Sequence, residues 1–226
     1  MATGPWPYYA RPRLGGDGPF TAGDVAAVRA RQRELGHPEA FEWVHEVTPD
    51  LLAVIRAAGL DVLEAPLMVL GDAVPADAAG VRILDAEDPA VGPGRAVADV
   101  GFKAAGTAIG PEGPWERDAS LSEASLDFVR DRMRRRLTVT AVAETDDGPV
   151  AVGSHQPVGD VTEIVGVATL PAFRRRGLGG AVTAALVADA LAHGAEIVFL
   201  SAGSQEIARV YARLGFRRIA TACIAG

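Results

Sequence analysis

The sequence is poor in the residues that build disulfides, thiolate metal sites and lysine-based phosphate loops. Among its 226 residues there is one cysteine, Cys223, and one lysine, Lys103. A single cysteine excludes a disulfide framework within the chain and any zinc site made of several cysteines. The four histidines show no ligand spacing, so we expect no metal. A Walker A loop, which needs Gly-Lys-Ser or Gly-Lys-Thr, is absent as well.

Basic charge and long apolar runs are also scarce. The chain has 22 basic and 29 acidic residues, a net charge of −7, whereas proteins that bind nucleic-acid backbones usually carry a broad basic field. No uncharged apolar stretch reaches the length of a membrane span, and the first residues lack the pattern of a secretory signal. We therefore expect a cytoplasmic protein with neither a nucleic-acid nor a membrane partner.

The remaining composition, 49% hydrophobic and 23% charged, is typical of a globular chain with one large or two small domains. Residues 1–20 are rich in Pro, Gly and aromatic residues and predict an irregular arm. Residues 21–70 predict an N-terminal α/β half-domain. The turn-rich stretch 71–80 predicts a linker, and residues 81–226 are expected to form the main domain.

Hydrophobic periodicity and turn signals predict helices and strands that alternate after a hairpin around Asp146-Asp147-Gly148. Helices are expected at 21–36, 50–59, 93–102, 121–136, 178–193 and 204–214. Strands are expected at 41–47, 61–70 (two runs broken by Pro66), 81–84, 138–144, 150–154, 161–170, 196–200 and 216–224. This order predicts an α/β fold with an α+β mixed sheet.

A loop of three arginines and three glycines is the most informative segment. It lies between a predicted strand and a predicted helix and reads Arg174-Arg175-Arg176-Gly177-Leu178-Gly179-Gly180. Backbone N–H groups converge at such a helix N-terminus, glycine lets an anion approach closely, and arginine supplies charged donors. The loop therefore predicts an anion site, and the alternative is a glycine-rich turn with solvated arginines. A dinucleotide fingerprint does not fit, because several residues separate the strand from the glycines.

Two motifs resemble the signatures of the GCN5-related N-acetyltransferase (GNAT) superfamily. The first is Arg-x-x-Gly-x-Gly at 174–179, which resembles the acyl-CoA pyrophosphate loop of that family. The second runs from Ser204 through Tyr211 to Gly215-Phe216 and is similar to the family's tyrosine-bearing helix closed by Gly-Phe. The order of elements from residue 81 to 225 matches as well. The resemblance implies a GNAT-like acyl-CoA N-acyltransferase fold for this part of the chain.

The resemblance also implies acetyl-CoA as the co-substrate and assigns residues to its parts. The loop of residues 174–180 would hold the pyrophosphate. The backbone of Val167, Ala168 and Thr169 would pair with the pantetheine arm, and the N–H of Val167 would bind the thioester carbonyl.

In the family the thioester lies where two parallel strands separate, here the strands at 161–170 and 196–200. Gly166 is the kind of residue that marks a bulge or a close backbone approach within a strand. Ser204 stands where the family usually has asparagine. Its hydroxyl is expected either to contact pantetheine or to cap the following helix.

Two side chains are candidates for catalysis. The resemblance makes Tyr211 the general acid, because a phenol with a pKa near 10 stays protonated at neutral pH and can donate to a thiolate. The alternative is a tyrosine that packs its ring against the sheet. Glu163 is the candidate general base, since an interior strand carries a carboxylate only where it faces a wet cleft or a partner. A structural salt bridge is the alternative for Glu163.

The function expected on these grounds is acetyl transfer from acetyl-CoA to a primary amine by direct attack in a ternary complex. The alternative is a non-catalytic acyl-CoA sensor or interaction module of the same fold. The acceptor is expected to be a small-molecule or peptide amine, and a homodimer is compatible with the sequence. In the family the acceptor is recognised by residues corresponding to about 95–136. Here that stretch offers Trp115, Glu112, Glu116 and Asp118.

The N-terminal third echoes the C-terminal unit. A shift of 156 residues lays residues 21–69 on 177–225 without a gap and places predicted helix on helix and strand on strand. Ile55 then falls on Tyr211, and no arginine loop precedes the first helix. We therefore expect residues 21–70 to be a degenerate, non-catalytic half-copy that docks on its own C-terminal unit or on a second subunit.

Overall fold

The computed structural model describes residues 9–13, 15, 19–73, 80–104 and 106–226. The rest of the predicted arm and residues 74–79 of the predicted linker lie outside these ranges. The helices are α1 (Ala22–Glu34), α2 (Leu51–Ala57), α3 (Val91–Lys103), α4 (Pro114–Ala119), α5 (Leu126–Arg134), α6 (Leu178–Ala192) and α7 (Gln205–Ala212). The strands are β1 (Phe41–Val44), β2 (Val62–Leu70), β3 (Val81–Ile83), β4 (Val139–Thr145), β5 (Gly148–Val158), β6 (Val161–Thr169), β7 (Ile197–Ser201) and β8 (Phe216–Ala225).

The strands form one mixed eight-stranded sheet in the order β1-β8-β2-β7-β6-β5-β4-β3. The four strands from β3 to β6 pair antiparallel with their neighbours, whereas β6 and β7 pair in parallel. The prediction of an α/β fold with a mixed sheet is confirmed. No helix in the described ranges is long and apolar enough to cross a bilayer.

The chain divides into two compact units. The first comprises the described residues up to Leu67 together with Ser201–Gln205 and Arg218–Gly226. Within it β1 pairs antiparallel with the end of β8, so that Phe41 lies opposite Ala225. Its buried core consists of Val25, Phe41, Trp43, Leu51, Ile55, Cys223 and Ala225. The apolar side chains of the N-terminal third are therefore buried together with residues from the end of β8.

The second unit, Met68–Leu200 with Glu206–Arg217, carries the arginine-glycine loop. Helix α3 and helix α6 both pack on β5 and β6. Small residues permit the close approach of α3: a Cβ atom on Gly101 would lie 3.0 Å from the Cβ of Ala168. The core on this side includes Val97, Val142, Val150 and Leu170, all nearly inaccessible to solvent. A close contact between α3 and β6 thus lies directly before the arginine-glycine loop.

Two elements differ from the sequence prediction. Helix α4 lies where no helix was predicted; its first residue is Pro114, and its Glu116 carboxylate accepts a hydrogen bond from the Gly113 N–H (2.7 Å). Strand β2 is continuous through Pro66, where two runs were predicted. Proline lacks an N–H but keeps its carbonyl, and that oxygen accepts a hydrogen bond from the Ala202 N–H (2.9 Å).

The observed elements follow the predicted internal echo to within two residues, since α2 and α7, and likewise β2 and β8, begin 154 residues apart. Helices α1 and α6 begin at residues 22 and 178, and strands β1 and β7 begin at residues 41 and 197. Both pairs are 156 residues apart. That residues 21–70 are a degenerate copy of the same fold stays a prediction.

Candidate functional site

Strand β6 carries a bulge at the position where the sequence predicts one. Val152 of β5 lies opposite Ala168 and Ser154 opposite Val165, so Gly153 alone faces two residues, Gly166 and Val167. Gly166 has a φ of +66°, a left-handed conformation that favours glycine. A bulge leaves its extra residue out of the ladder, and backbone groups near Val167 are thereby released from pairing with β5.

Strands β6 and β7 separate just before this bulge. Their parallel pairing comprises Val161 with Ile197, Thr162 with Val198 and Glu163 with Phe199. Beyond Glu163 the described residues of β6 have no β7 partner. A gap between parallel strands therefore opens next to Gly166 and Val167, between the two strands where the family resemblance implies one.

The arginine-glycine loop runs into an uncapped helix. Gly177 is the N-cap of α6 with a φ of +80°, and no side chain caps the helix. The first intrahelical hydrogen bond runs from Ala181 N–H to Gly177 O (3.0 Å). The N–H groups of the residues between them, Leu178 to Gly180, precede that bond and are available to an anion. No described atom lies within 4 Å of a Cβ atom placed on Gly177 or Gly180, so the space beside both is open.

The three arginines of the loop differ in orientation. Arg175, itself in a left-handed conformation (φ 66°), is exposed and lies 3.5 Å from the Glu206 carboxylate. The Arg176 guanidinium stacks 4.9 Å from the centre of the Phe173 ring. Arg174 turns inward and donates hydrogen bonds to backbone carbonyls only.

Tyr211 lies on α7 and is 8% exposed. Its ring packs edge-on against Phe216, with the centroids 6.1 Å apart. Burial raises the pKa of Tyr211 to about 12. Both interpretations made from the sequence are thus compatible with its position, since the ring packs in the core and the phenol stays protonated at neutral pH.

Glu163 lies at the last paired position of β6, directly before the gap. Its neighbour Thr162 is buried and hydrogen-bonded to His155 on the α6 side of the sheet, so by strand alternation Glu163 faces the opposite side. His155 itself is 1% exposed with both ring nitrogens hydrogen-bonded and is inaccessible to a substrate. Ser204 directly precedes α7.

The acidic residues Glu112, Glu116 and Asp118 have different surroundings, which the sequence did not distinguish. Glu116 caps α4, and Asp118 pairs with the buried Arg117, 2.7 Å away. Glu112 lies partly buried over Gly110, and its carboxylate accepts no hydrogen bond from a described residue. Trp115 is 81% exposed. Because Glu116 and Asp118 are engaged within the protein, the Glu112 carboxylate and the Trp115 ring are the groups available to a ligand.

The C-terminal end of α6 carries a second polar cluster. His155 Nε2 lies 2.9 Å from Asp189 Oδ2, and the Arg136 guanidinium donates to the same oxygen (2.9 Å). His193 lies 3.4 Å from the other carboxylate oxygen. Arg136, His155 and His193 border a cavity of about 200 Å³. In the described ranges no group of three or more His, Cys, Asp and Glu residues is arranged to hold a metal ion.

This cluster predicts a loss of stability in mild acid. Burial lowers the pKa of His155 below 6.5, against the opposing effect of Asp189. The unfolded chain therefore binds the additional proton, and the free energy of unfolding should fall as pH drops below 6.5, by at most about 1.4 kcal/mol per pH unit. Urea unfolding across this range measures the slope. The variant His155→Gln should have a shallower slope, and an equal slope would contradict the assignment.

A second prediction concerns the residue opposite the bulge. A Cβ atom on Gly153 would lie 2.9 Å from Val182 Cγ1 and 3.1 Å from both Leu186 Cδ1 and Val167 Cγ2. Gly153→Ala should therefore destabilise the protein by about 1–3 kcal/mol through overpacking. The control is Gly180→Ala in the open first turn of α6, which should leave stability unchanged or raise it by about 0.5 kcal/mol. Equal unfolding midpoints for the two variants would refute the clash.

Comparisons with known proteins identify a family for part of this chain. The acetyltransferase (GNAT) family matches residues 108–216. None of the curated proteins matches the chain. A GCN5-related N-acetyltransferase from Kribbella flavida is 26% identical, with a TM-score of 0.63 over 92% of this chain and 77% of its own.

Two further solved structures share the fold. One is a GNAT-family protein from Novosphingobium aromaticivorans, 22% identical with a TM-score of 0.54 over 91% of this chain and 79% of its own. The other is a tandem GNAT protein from the clavulanic acid biosynthesis pathway, 16% identical with a TM-score of 0.56 over 90% and 68%. On the family match, this chain carries a domain of the acetyltransferase (GNAT) family at residues 108–216.

Proposed function

We propose that this protein is an N-acetyltransferase that transfers an acetyl group from acetyl-CoA to a primary amine, by direct attack in a ternary complex. One observation carries the proposal: β6 leaves β7 after Glu163, bulges at Gly166 and then leads into the uncapped N-terminus of α6. A gap for a thioester and a site for a pyrophosphate thus follow each other along one stretch of backbone. This is the order in which the two groups occur in acetyl-CoA.

The pyrophosphate is assigned to the start of α6. The N–H groups of Leu178, Gly179 and Gly180 and the positive end of the helix dipole favour an anion there. Arg175 and Arg176 add positive charge beside it. The open space at Gly177 and Gly180 permits the close approach that a diphosphate needs.

The thioester is assigned to the gap beside the bulge. The Val167 N–H is proposed to donate to the carbonyl oxygen, on which negative charge develops as the amine attacks. The backbone of Val167, Ala168 and Thr169 is proposed to pair with the pantetheine arm. Ser204 is proposed to contact the same arm or to cap α7.

The reaction moves one proton from the amine to the sulfur. The amine nitrogen forms a bond to the carbonyl carbon, the C–S bond breaks, and the electron pair of that bond leaves on sulfur. Glu163, at the edge of the gap, is proposed to accept the proton that the amine nitrogen loses. Protonated Glu163 then loses its proton to solvent and the thiolate takes one up from solvent, so the product amide and the free thiol balance the neutral amine and acetyl-CoA.

Tyr211 is proposed to act at the leaving sulfur. Its pKa of about 12 lies above the value near 8.5 of an ordinary thiol, so complete proton transfer from this phenol to a thiolate is uphill. The hydroxyl is therefore expected to stabilise the thiolate mainly by donating a hydrogen bond. Such a donor acts without changing its own charge.

The acceptor is proposed to be a small-molecule or peptide amine, in the cytoplasm, where acetyl-CoA is available. Glu112 is the acidic group of the preceding loop that no described residue engages, and it can pair with a cationic part of the acceptor. Trp115 offers an exposed ring close by in the sequence. Glu112→Gln should raise the KM for an acceptor that carries a second positive charge.

Calorimetric titration with acetyl-CoA and with free CoA tests the first part of the proposal. Absence of binding at hundreds of micromolar would refute it. Thiol release with polyamines, aminoglycosides, amino acids and peptide N-termini tests the second part. Binding without amine-dependent release from any acceptor would instead identify an acyl-CoA sensor.

A further inference from the structure

The side chain of Arg174 is bonded to four backbone carbonyl groups. Its Nη2 donates to Gly101 O (2.8 Å) and Ala104 O (2.6 Å), Nη1 donates to Ala108 O (3.1 Å), and Nε donates to Thr169 O (3.3 Å). These oxygens belong to the last turn and cap of α3, to the loop after α3 and to the end of β6.

Two of these acceptors are carbonyls that a helix end leaves without partners. Gly101 lies in the last turn of α3 and Ala104 is its C-cap, where intrahelical donors run out. A cation at this end also interacts favourably with the helix dipole. Arg174 therefore caps α3 from a distant part of the chain.

The backbone around Arg174 joins the same two segments. Gly110 N–H donates to Pro171 O (3.3 Å), and Ala172 N–H donates to Glu112 O (2.9 Å). The Arg174 N–H itself donates to Pro171 O (3.3 Å). Main-chain and side-chain bonds thus fasten residues 106–113 to the segment between β6 and α6.

We propose that Arg174 is a positioning residue, which holds the end of α3 and residues 106–113 against the acyl-CoA strand instead of neutralising the pyrophosphate. The inference rests on the proposed function, because it assigns these residues to the acceptor side and the Arg175–Gly180 segment to the co-substrate. It separates Arg174 from Arg175 and Arg176, although the motif places the three together. The position of residues 106–113 on the acceptor side then depends on a residue of the loop that is proposed to bind acetyl-CoA.

The chemistry of the site requires arginine. A guanidinium offers five N–H donors in a rigid planar fork, whereas the three donors of lysine diverge from a single nitrogen. Lysine cannot reach carbonyls of α3, of the following loop and of β6 simultaneously. The variant Arg174→Lys therefore keeps the charge and loses the positioning.

The test compares Arg174→Lys and Arg174→Gln with Arg175→Gln, a neighbouring arginine whose side chain is 66% exposed. Hydrogen exchange of residues 100–113 is measured without any ligand, together with the thermal midpoint. Both Arg174 variants should show exchange at least about tenfold faster in this segment and a midpoint lower by about 4 °C or more. Arg175→Gln should leave both unchanged.

The affinity for acetyl-CoA is then measured at about 0.05 M and about 0.5 M salt, where screening differs strongly. Arg174→Lys should keep the wild-type ratio of the two dissociation constants, and Arg175→Gln should reduce it. Wild-type exchange and midpoint in Arg174→Lys would overturn the positioning role. If Arg174→Gln does not fold, Arg174→Lys decides. If the wild-type protein does not bind acetyl-CoA, the proposed function fails, while the ligand-free exchange still decides the role of Arg174.

Discussion

Replacing Gly177 by aspartate is expected to weaken acetyl-CoA binding at least about 100-fold. Gly177 is the N-cap of α6 and borders the N–H groups assigned to the pyrophosphate. A carboxylate there would intercept those donors and repel the diphosphate, an interaction of about 4 kcal/mol for two unit charges 4 Å apart at an effective dielectric constant of 20. Calorimetric titration measures the loss.

The matched control is Gly177→Asn, which has the same shape without the charge. Both substitutions place a side chain at a φ of +80°, and aspartate and asparagine tolerate this conformation better than most residues. We expect the asparagine variant to bind at least about tenfold more tightly than the aspartate variant, with similar thermal midpoints for the two. Wild-type affinity in Gly177→Asp would show that the pyrophosphate binds elsewhere.

Replacing Tyr211 by phenylalanine is expected to lower kcat about 100-fold, at the lower end of the usual range for a catalytic proton donor. We expect a fall in kcat at the lower end because a phenol with a pKa of about 12 stabilises the thiolate by a hydrogen bond and does not transfer its proton completely. Phenylalanine keeps the edge-on contact with Phe216. Acetyl-CoA affinity and thermal midpoint should therefore stay close to those of the wild-type protein.

Steady-state thiol release against pH separates this role from a structural one. Because burial keeps Tyr211 protonated to about pH 12, its titration should cause no alkaline loss of kcat below about pH 10. The control is Tyr9→Phe at a partly exposed position, which should leave kcat unchanged. A Tyr211→Phe enzyme with wild-type kcat would eliminate Tyr211 from the chemistry.

Local sequence was sufficient to predict the parts of the candidate site that depend on backbone conformation. A glycine within an apolar strand predicts the bulge at Gly166, and glycines after arginines predict the loop before α6. Both features arise from the lack of a Cβ atom, which a sequence displays directly. The family assignment followed from the spacing of these features and Tyr211.

Side-chain orientation was not predictable in the same way. Nothing adjacent to Arg174 indicates that its guanidinium turns to α3, because three of its four acceptors lie 66 to 73 positions earlier in the chain. Helix α4 was missed because Pro and Gly dominate its approach, although Pro114 followed by Glu116 is a helix-start signal. The orientation of Arg174 depends on long-range contacts, and the start of α4 depends on a capping pattern that lies among turn residues.

The composition of the first unit has a consequence for biosynthesis. Phe41 and Trp43 share their core with Cys223 and Ala225, so the strand that completes this core is translated about 180 residues after β1. During translation, the apolar side chains of α1, α2 and β1 therefore stay exposed until β8 has been synthesised. Exposed apolar surface of this kind favours binding by chaperones. Such a high sequence separation also slows refolding from denaturant relative to a protein built from local contacts.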